Sequence, residues 1–323
     1  MPEFKDIINE ISRVTKPVYT PLDDTRQKYI KLLSKHTGRD TIVYSGKWNG
    51  PANITSINNS DIHKFMSVLA GLSNDNLDLI IHTNGGDPNA ADAIMRYLRK
   101  KYTHIRAIIP QNAMSAGTIM ACGCDSIVMG KHSFMGPIDP QFILSTPLGV
   151  RAFPAYSFIE QFEQAKQEVS KDPTTLKAWL PILQSLAPAM LVEAKKSIQF
   201  TKEIVEEFLD KYMFQGNDKA SATRISDHLS DHGNFNTHGK KLDSDYMKKL
   251  GLNIEDLESD QTFQDLLLSV FHATELCFLK SAAVKIVANN ADRFYVENHI
   301  LHSPKSQQTK PRNTPTRKVR KRK

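Results

Sequence analysis

Short apolar runs alternate with stretches of helical period through the first part of the chain, and most runs close on glycine, proline or asparagine. Runs at residues 41–44, 77–83, 105–109 and 126–129 have strand length. Between them, residues 23–35 carry Tyr29, Ile30, Leu32 and Leu33, and residues 60–72 follow a Ser60-Asp61 cap signal. Residues 90–102 place Ala90, Ala91, Ile94, Met95 and Leu98 on one helical face, and a small-residue helix runs through Ala121. Strand, helix, strand at this spacing predicts right-handed crossovers and an α/β fold with parallel strands, whose carboxyl ends are the usual location of a site.

Farther along, the pattern becomes mostly helical. Residues 157–212 are rich in Glu, Lys and Gln and are interrupted by Pro173, Pro181 and Pro188, so an inserted helical arm on the same fold is expected. A helix over 218–231 leads to the polar loop 232–239, then to a short helix at 244–250 closed by Gly251. Residues 261–289 read as one last long helix with Leu266, Leu267, Val270, Phe271 and Thr274 on its buried face. The expected division is a lead-in at 1–21, one domain over 22–300 and a tail at 301–323.

Composition changes this picture in two places. The formal charge of +7 over 323 residues suggests a nucleic-acid partner until it is located. Residues 303–323 hold nine Lys or Arg and no Asp or Glu, which leaves 7 − 9 = −2 for the rest. The tail has almost no apolar residues with which to offset ordering entropy and is expected to be disordered, with at most weak, non-specific nucleic-acid contact. Cys122, Cys124 and Cys277 form no disulfide framework, which fits a reducing, cytoplasmic compartment; two thiols on a small-residue helix read as packing, and no metal site is expected. No apolar run reaches the length of a membrane span.

Candidate chemistry sits on two glycine-punctuated turns. The run 77–83 ends at Asn84-Gly85-Gly86-Asp87, and the run 105–109 leads to Ala113-Met114-Ser115-Ala116-Gly117. A serine hydroxyl needs a base in reach and backbone donors for the oxyanion it creates. A Gly85-Gly86 turn and the amide of Ala116 could supply the donors. The serine motif lacks the first glycine of a nucleophile elbow, so Ser115 reads equally well as the cap of the following helix.

Several segments in register carry a resemblance. Ile80-Ile81-His82-Thr83-Asn84-Gly85-Gly86-Asp87, Ala113-Met114-Ser115-Ala116-Gly117-Thr118, Asp125-Ser126-Ile127-Val128-Met129 and Gly136-Pro137-Ile138-Asp139-Pro140-Gln141 resemble the serine dehydrogenase proteinase family. These are Clp-fold serine proteinases, related to the Clp protease and crotonase superfamily. Arg26 to Leu33, Thr37-Gly38-Arg39, Tyr44-Ser45, the stretch from His232 to Leu242 and Leu250-Gly251-Leu252 extend the likeness over about residues 22–255. The resemblance implies a spiral α/β fold of ββα units, a nucleophile at Ser115, and an oxyanion hole from Gly85, Gly86 and Ala116. It further implies a peptide or protein substrate, a homo-oligomer and no cofactor.

The base departs from the Clp pattern. Counting against that pattern, the Clp histidine falls near Ile138 or Asp139, and the Clp aspartate falls near His238-Gly239. Acid and imidazole have exchanged places, which leaves a set of Ser115, His238 and Asp139 with the same three roles. His82, beside the first turn, is a second candidate base, although strand alternation could bury it in the core. Lys166 is a third, because the related signal-peptide peptidases use a lysine, but its Glu- and Gln-rich helix reads as a surface. Other readings are an inactive oligomeric scaffold and a crotonase-like acyl-CoA site that would not need Ser115.

Overall fold

The computed structural model describes residues 21–146 and 149–299. The lead-in at 1–20 and the tail, with its expected nucleic-acid contact, lie outside the described residues. Helix α1 (Pro21–Thr37) precedes β1 (Asp40–Gly46), α2 (Ala52–Thr55), α3 (Asp61–Leu69), β2 (Asn76–His82) and α4 (Pro88–Arg99). Then come β3 (His104–Ile109), β4 (Asn112–Ala113), α5 (Ala116–Cys122), β5 (Ser126–Met129) and β6 (Phe134–Met135). A hairpin, β7 (Gln141–Thr146) and β8 (Gly149–Pro154), opens into α6 (Ala155–Lys171), α7 (Leu176–Gln184) and α8 (Met190–Phe208). The chain closes with α9 (Lys219–Ser230), α10 (Ser244–Leu250), β9 (Ile254–Asp256), α11 (Gln261–Lys280), β10 (Ala283–Asn289) and β11 (Phe294–Asn298).

A seven-stranded sheet in the order β11-β10-β1-β2-β3-β5-β9 organises these elements. Five of its strands, β1, β2, β3, β5 and β9, run parallel, and β10 and β11 are antiparallel additions at one side. The runs are apolar throughout because the central strands are buried on both faces. Ile42, Tyr44, Leu79 and Ile81 face a core shared with Phe65, Ile94, Leu98, Ile119 and Met120. The alternate residues Val43, Ile80, Ile108 and Val128 face a second core with Ile30, Leu33, Leu267, Val270 and Phe278. Helix α4 starts where expected: Asp87 accepts from the Asn89 amide at 2.9 Å, and Pro88 occupies the first turn.

The α/β class and parallel-dominated sheet agree with the sequence pattern, and two boundaries do not. Residues 261–289 are not one helix: α11 stops at Lys280, and 283–289 form β10, buried along its whole length. The β-branched Ile286 and Val287 pair with β1, which favours a strand over helical continuation. The hairpin at 141–154 carries no clean alternation and was not expected. The helical arm is present, and α7 buries none of its residues.

One buried network ties the edge of the sheet to the loop before α3. The Asp61 carboxylate accepts from Tyr44 Oη at 2.7 Å, Lys64 Nζ at 2.7 Å, Asn58 N at 3.0 Å and Lys285 Nζ at 2.9 Å, and Lys285 also donates to Ser56 O at 2.8 Å. Burial alone would raise the Asp61 carboxyl, but the two ammonium groups and the tyrosine outweigh it and hold it below its ordinary range. Lys64 keeps a second carboxylate in Glu297, so loss of Asp61 strands the buried Lys285 ammonium, whereas loss of Lys285 leaves Asp61 paired with Lys64. Asp61→Asn is expected to cost about 3–5 kcal/mol in urea denaturation, and Lys285→Met, which leaves Lys64 on the carboxylate, distinctly less.

Candidate active site

Above the carboxyl ends of the parallel strands, a ladder of short extended segments crosses the molecule. Thr83 pairs in parallel with Ala113, β4 pairs in parallel with β6, and Met135 pairs antiparallel with Leu242. Its hydrogen bonds include Thr83 N to Asn112 O at 2.9 Å, Met114 N to Thr83 O at 3.0 Å, and reciprocal 2.9 Å bonds between Met135 and Leu242. Three rungs leave in one direction, so residues just after them share an end. The fourth rung is reversed, and the residues just before it arrive at that same end. Gly85, Ser115 and Asp139 follow the first three rungs, and His238 precedes the fourth.

Ser115 stands at the start of α5 with φ 50° and ψ −114°, in the positive-φ region that costs a non-glycine residue energy. Its side chain makes no capping hydrogen bond, so the helix-cap alternative does not describe this serine. Gly85 presses on it from one side. A Cβ on Gly85 would lie 2.7 Å from Ser115 Cβ and 3.2 Å from Ala116 N, and φ there is +101°. Gly136 approaches from the other side, with its Cβ direction 3.4 Å from Ser115 N. Thr118 joins the two loops: its hydroxyl lies 2.9 Å from Ala113 O and from Gly136 O, and it accepts from Gly136 N at 3.1 Å.

Gly86 is exposed, and its backbone polarity can be assigned from the pairing around it. Ile57 N donates to Gly85 O at 2.8 Å, and Asp87 N donates to Ile57 O at 2.9 Å. Those bonds belong to the residues on either side, so the N–H and C=O of Gly86 itself point away from Ile57. Ala116 is the first residue of α5, and its N–H has no intrahelical acceptor.

Asp139 is buried, with 2% of its surface exposed, and its two oxygens have separate partners. Oδ1 lies 2.7 Å from His238 Nδ1, while Oδ2 lies 2.8 Å from His232 Nδ1 and accepts from Gln141 Nε2 at 3.0 Å. The structure therefore brings together His238 and Asp139, and adds a second imidazole that sequence reasoning passed over. The available signal was the loop 232–239 itself, which begins and ends near a histidine.

The other candidate bases lie elsewhere. His82 faces the α11 side of the sheet, between Trp48 and Phe271 at ring-centroid distances of 5.7 and 5.0 Å, whereas α5 packs on the opposite side. Its Nε2 is 3.9 Å from Glu275 Oε1, and Nδ1 faces the Asn112 amide at 3.4 Å. Lys166 is exposed on α6 and paired with Glu163 at 2.9 Å. Cys122, Cys124 and Cys277 are free and buried, and burial pushes the Cys122 thiol up to about 12. Among the described residues no group of three or more His, Cys, Asp or Glu side chains could hold a metal ion, and no helix is long and apolar enough to cross a membrane.

Residues 55–271 match the family described as ClpP-like SDH-type serine proteinase. Two uncharacterized proteins of Methanocaldococcus jannaschii, MJ0137 and MJ1495, are 33% and 34% identical over 180 residues, or 55% of this chain. The chain spans about half the length of these curated relatives, 53% and 51% respectively. Among solved structures, a membrane-bound stomatin-specific protease with a substrate peptide aligns over 75% of this chain and 83% of its own, at 15% identity and a TM-score of 0.38. ClpP1 from Listeria monocytogenes aligns over 72% and 98%, at 15% identity and a TM-score of 0.37.

His82 and Glu275 make a testable pair because burial shifts them in opposite senses. Desolvation pushes His82 from 6.5 down to about 4. It pushes Glu275 from 4.5 up to about 7, against the pull of Lys47. For His82 the fold prefers the neutral ring, so its contribution is present above pH 6.5 and is lost as pH falls through 4. For Glu275 the fold prefers the neutral acid, so its contribution is present below pH 4.5 and is lost as pH rises through 7. The two slopes oppose each other over the shared window. Relative to wild type, Glu275→Gln is expected to lose stability as pH drops from 6.5 to 4.5, and His82→Leu to lose it as pH rises over that range. The full swing of each is at most about 3 kcal/mol, the glutamate's being the smaller because it is partly exposed, and denaturant midpoints against pH read both.

Proposed function

We propose that this chain, which belongs to the ClpP-like SDH-type serine proteinase family, hydrolyses peptide bonds through an acyl-enzyme on Ser115. What supports this reading is the His238–Asp139 pair at 2.7 Å, carried on chain segments that adjoin rungs of the same ladder that Ser115 follows. Asp139 accepts from Nδ1–H of His238 and leaves Nε2 as the basic nitrogen. In the proposed reaction Ser115 Oγ attacks the scissile carbonyl carbon while His238 Nε2 takes the hydroxyl proton. The carbonyl oxygen becomes an oxyanion and receives the N–H groups of Gly86 and Ala116. Collapse breaks the C–N bond, with the proton passing from His238 to the leaving amine. Water, deprotonated by the same nitrogen, then attacks the Ser115 ester and releases the acid.

A peptide fits the backbone offered here. Gly86 presents one donor and one acceptor at an exposed edge, which suits an extended segment laid alongside the turn. Homo-oligomerisation is part of the same reading: Leu176, Leu180, Ile182 and Val192 are exposed on the helical arm, an apolar surface that burial between copies would remove from water. The three unpaired thiols accord with a reducing compartment and a cytoplasmic setting.

A fluorophosphonate probe tests the chemistry directly. Wild-type protein is expected to acquire one label, Ser115→Ala none, and His238→Ala a labelling rate lower by at least ~10³-fold. Gly85→Ala, whose new methyl would collide with Ser115, is expected to lose labelling while keeping its circular dichroism spectrum. Undiminished labelling of Ser115→Ala would overturn the assignment. Absence of labelling in wild type, with an assembly still seen by sedimentation, would favour a catalytically silent scaffold.

A further inference from the structure

A second imidazole on the buried carboxylate is the feature that the proposed reaction leaves unused. Asp139 has one carboxylate and two histidine partners, each approaching through Nδ1 and each on a different oxygen. A triad needs one such contact, and an additional histidine placed this closely requires its own account.

The two rings are held differently. His232 opens a short turn, residues 232–234, whose first amide bond is fixed by Asp231: the Asp231 side chain accepts from Gly233 N at 2.9 Å. The face of its ring lies against Tyr156 at a centroid distance of 6.4 Å and a tilt of 33°. The backbone under it is fixed as well, since Leu229 O, at the end of α9, accepts from Ile138 N at 2.9 Å, beside Asp139. His238 has 27% of its side chain exposed against 15% for His232, and among the described residues its side chain has no hydrogen-bond partner other than Asp139. One ring is clamped from several sides, and the other is held by a single bond and reaches solvent.

We propose that His232 is a positioning residue for the Ser115 reaction: it donates Nδ1–H to Asp139 Oδ2 and thereby fixes the carboxylate plane that aims Oδ1 at His238. A carboxylate with one partner can turn about its last torsion, because rotation at that sp² centre is soft. With Oδ2 tied to His232 and Gln141, turning away from His238 would break two hydrogen bonds. The base is thus held in the tautomer and orientation that the reaction needs, while His232 itself touches neither the substrate nor the serine. This inference rests on the peptidase reading for its consequence in catalysis, and on geometry alone for the effect on His238.

Three variants of the full chain test it: His232→Ala, which removes the donor, His232→Asn, whose side-chain amide can occupy the place of Nδ1–H, and His238→Ala as reference. Labelling by fluorophosphonate is expected to slow roughly 10- to 100-fold in His232→Ala, the scale of a modest misalignment, and to recover to within about threefold in His232→Asn. With a peptide substrate the loss is expected in kcat and not in KM. Equal rates for His232→Ala and wild type, or a His232→Asn rate as low as that of His232→Ala, would overturn the proposal. A second measurement is independent of turnover: ring nitrogen chemical shifts of His238, assigned through His238→Ala, report its tautomer. His232→Ala is expected to shift them toward a mixture and His232→Asn to restore them. Unchanged shifts in His232→Ala overturn the positioning role even if the wild-type protein never reacts with the probe, whereas a failed probe reaction with shifts that respond as described removes only the peptidase reading.

Discussion

Everything at the candidate site depends on the direction of four short backbone pairings. Thr83, Ala113 and Met135 stand side by side in parallel, and Leu242 closes the row in reverse. Direction matters here more than length. A parallel row sends the following residues to a common end, so the Gly85 turn, Ser115 and Gly136 converge although long stretches of chain separate them. The reversed last rung is what allows a histidine to arrive from before its strand, and His238 thereby meets Asp139, which follows its own rung. Chain order is then a consequence of topology, and the chemical set is defined by where the rungs point.

Conformational strain and close approach concentrate at this same end. Ser115 has a positive φ, Gly85 and Gly86 adopt backbone conformations open to glycine, and Gly86 also meets the Ile57 backbone at distances no Cβ could share. Such strain persists only where surrounding contacts fix it. The Thr118 hydroxyl fixes the Gly136 side, and the Asp61–Lys285 network fixes the Ile57 side through Ser56. At the amino ends of the strands the arrangement is different in kind. Asp78 is fully buried between Arg39 at 2.8 Å and Arg106 at 2.9 Å, and Arg106 also reaches Glu255 at 3.3 Å, so two carboxylates face two guanidinium groups. Buried ion pairs thus brace both ends of the sheet, while the candidate chemistry lies at the carboxyl ends of its parallel strands, the usual place in open α/β folds.

The sequence made the main sheet legible because its strands are long enough to form runs and are buried on both faces. The same property hid the orientation of His82. In a strand buried on both sides, alternation does not distinguish a core face from a site face, and His82 turned toward Phe271 and Glu275. The ladder was invisible for another reason: rungs of one or two residues have no period to detect. Its presence could be reached only through the residues it gathers, which is why His238 and Asp139 were named from a family pattern while the pairing that joins them was not. Strand β10 reads as helix in the sequence because Val284, Ile286 and Val287 continue an apolar stretch, and only the pairing of residues 285–289 with β1 decides their state.

His232 marks a limit of reading by role. The three roles of nucleophile, base and acid are filled in the proposed reaction without it, since the loop 232–239 supplies His238 as well. Geometry sets a different question, namely what occupies each lone pair of a buried carboxylate. Asp139 has two oxygens, and burial makes an unpartnered one costly, so a second donor is required by the same desolvation that makes the first bond effective. Gln141 alone could have met that requirement with a neutral amide. That an imidazole stands beside it, clamped by Tyr156 and by the turn after Asp231, makes orientation of the carboxylate the more economical account of its presence.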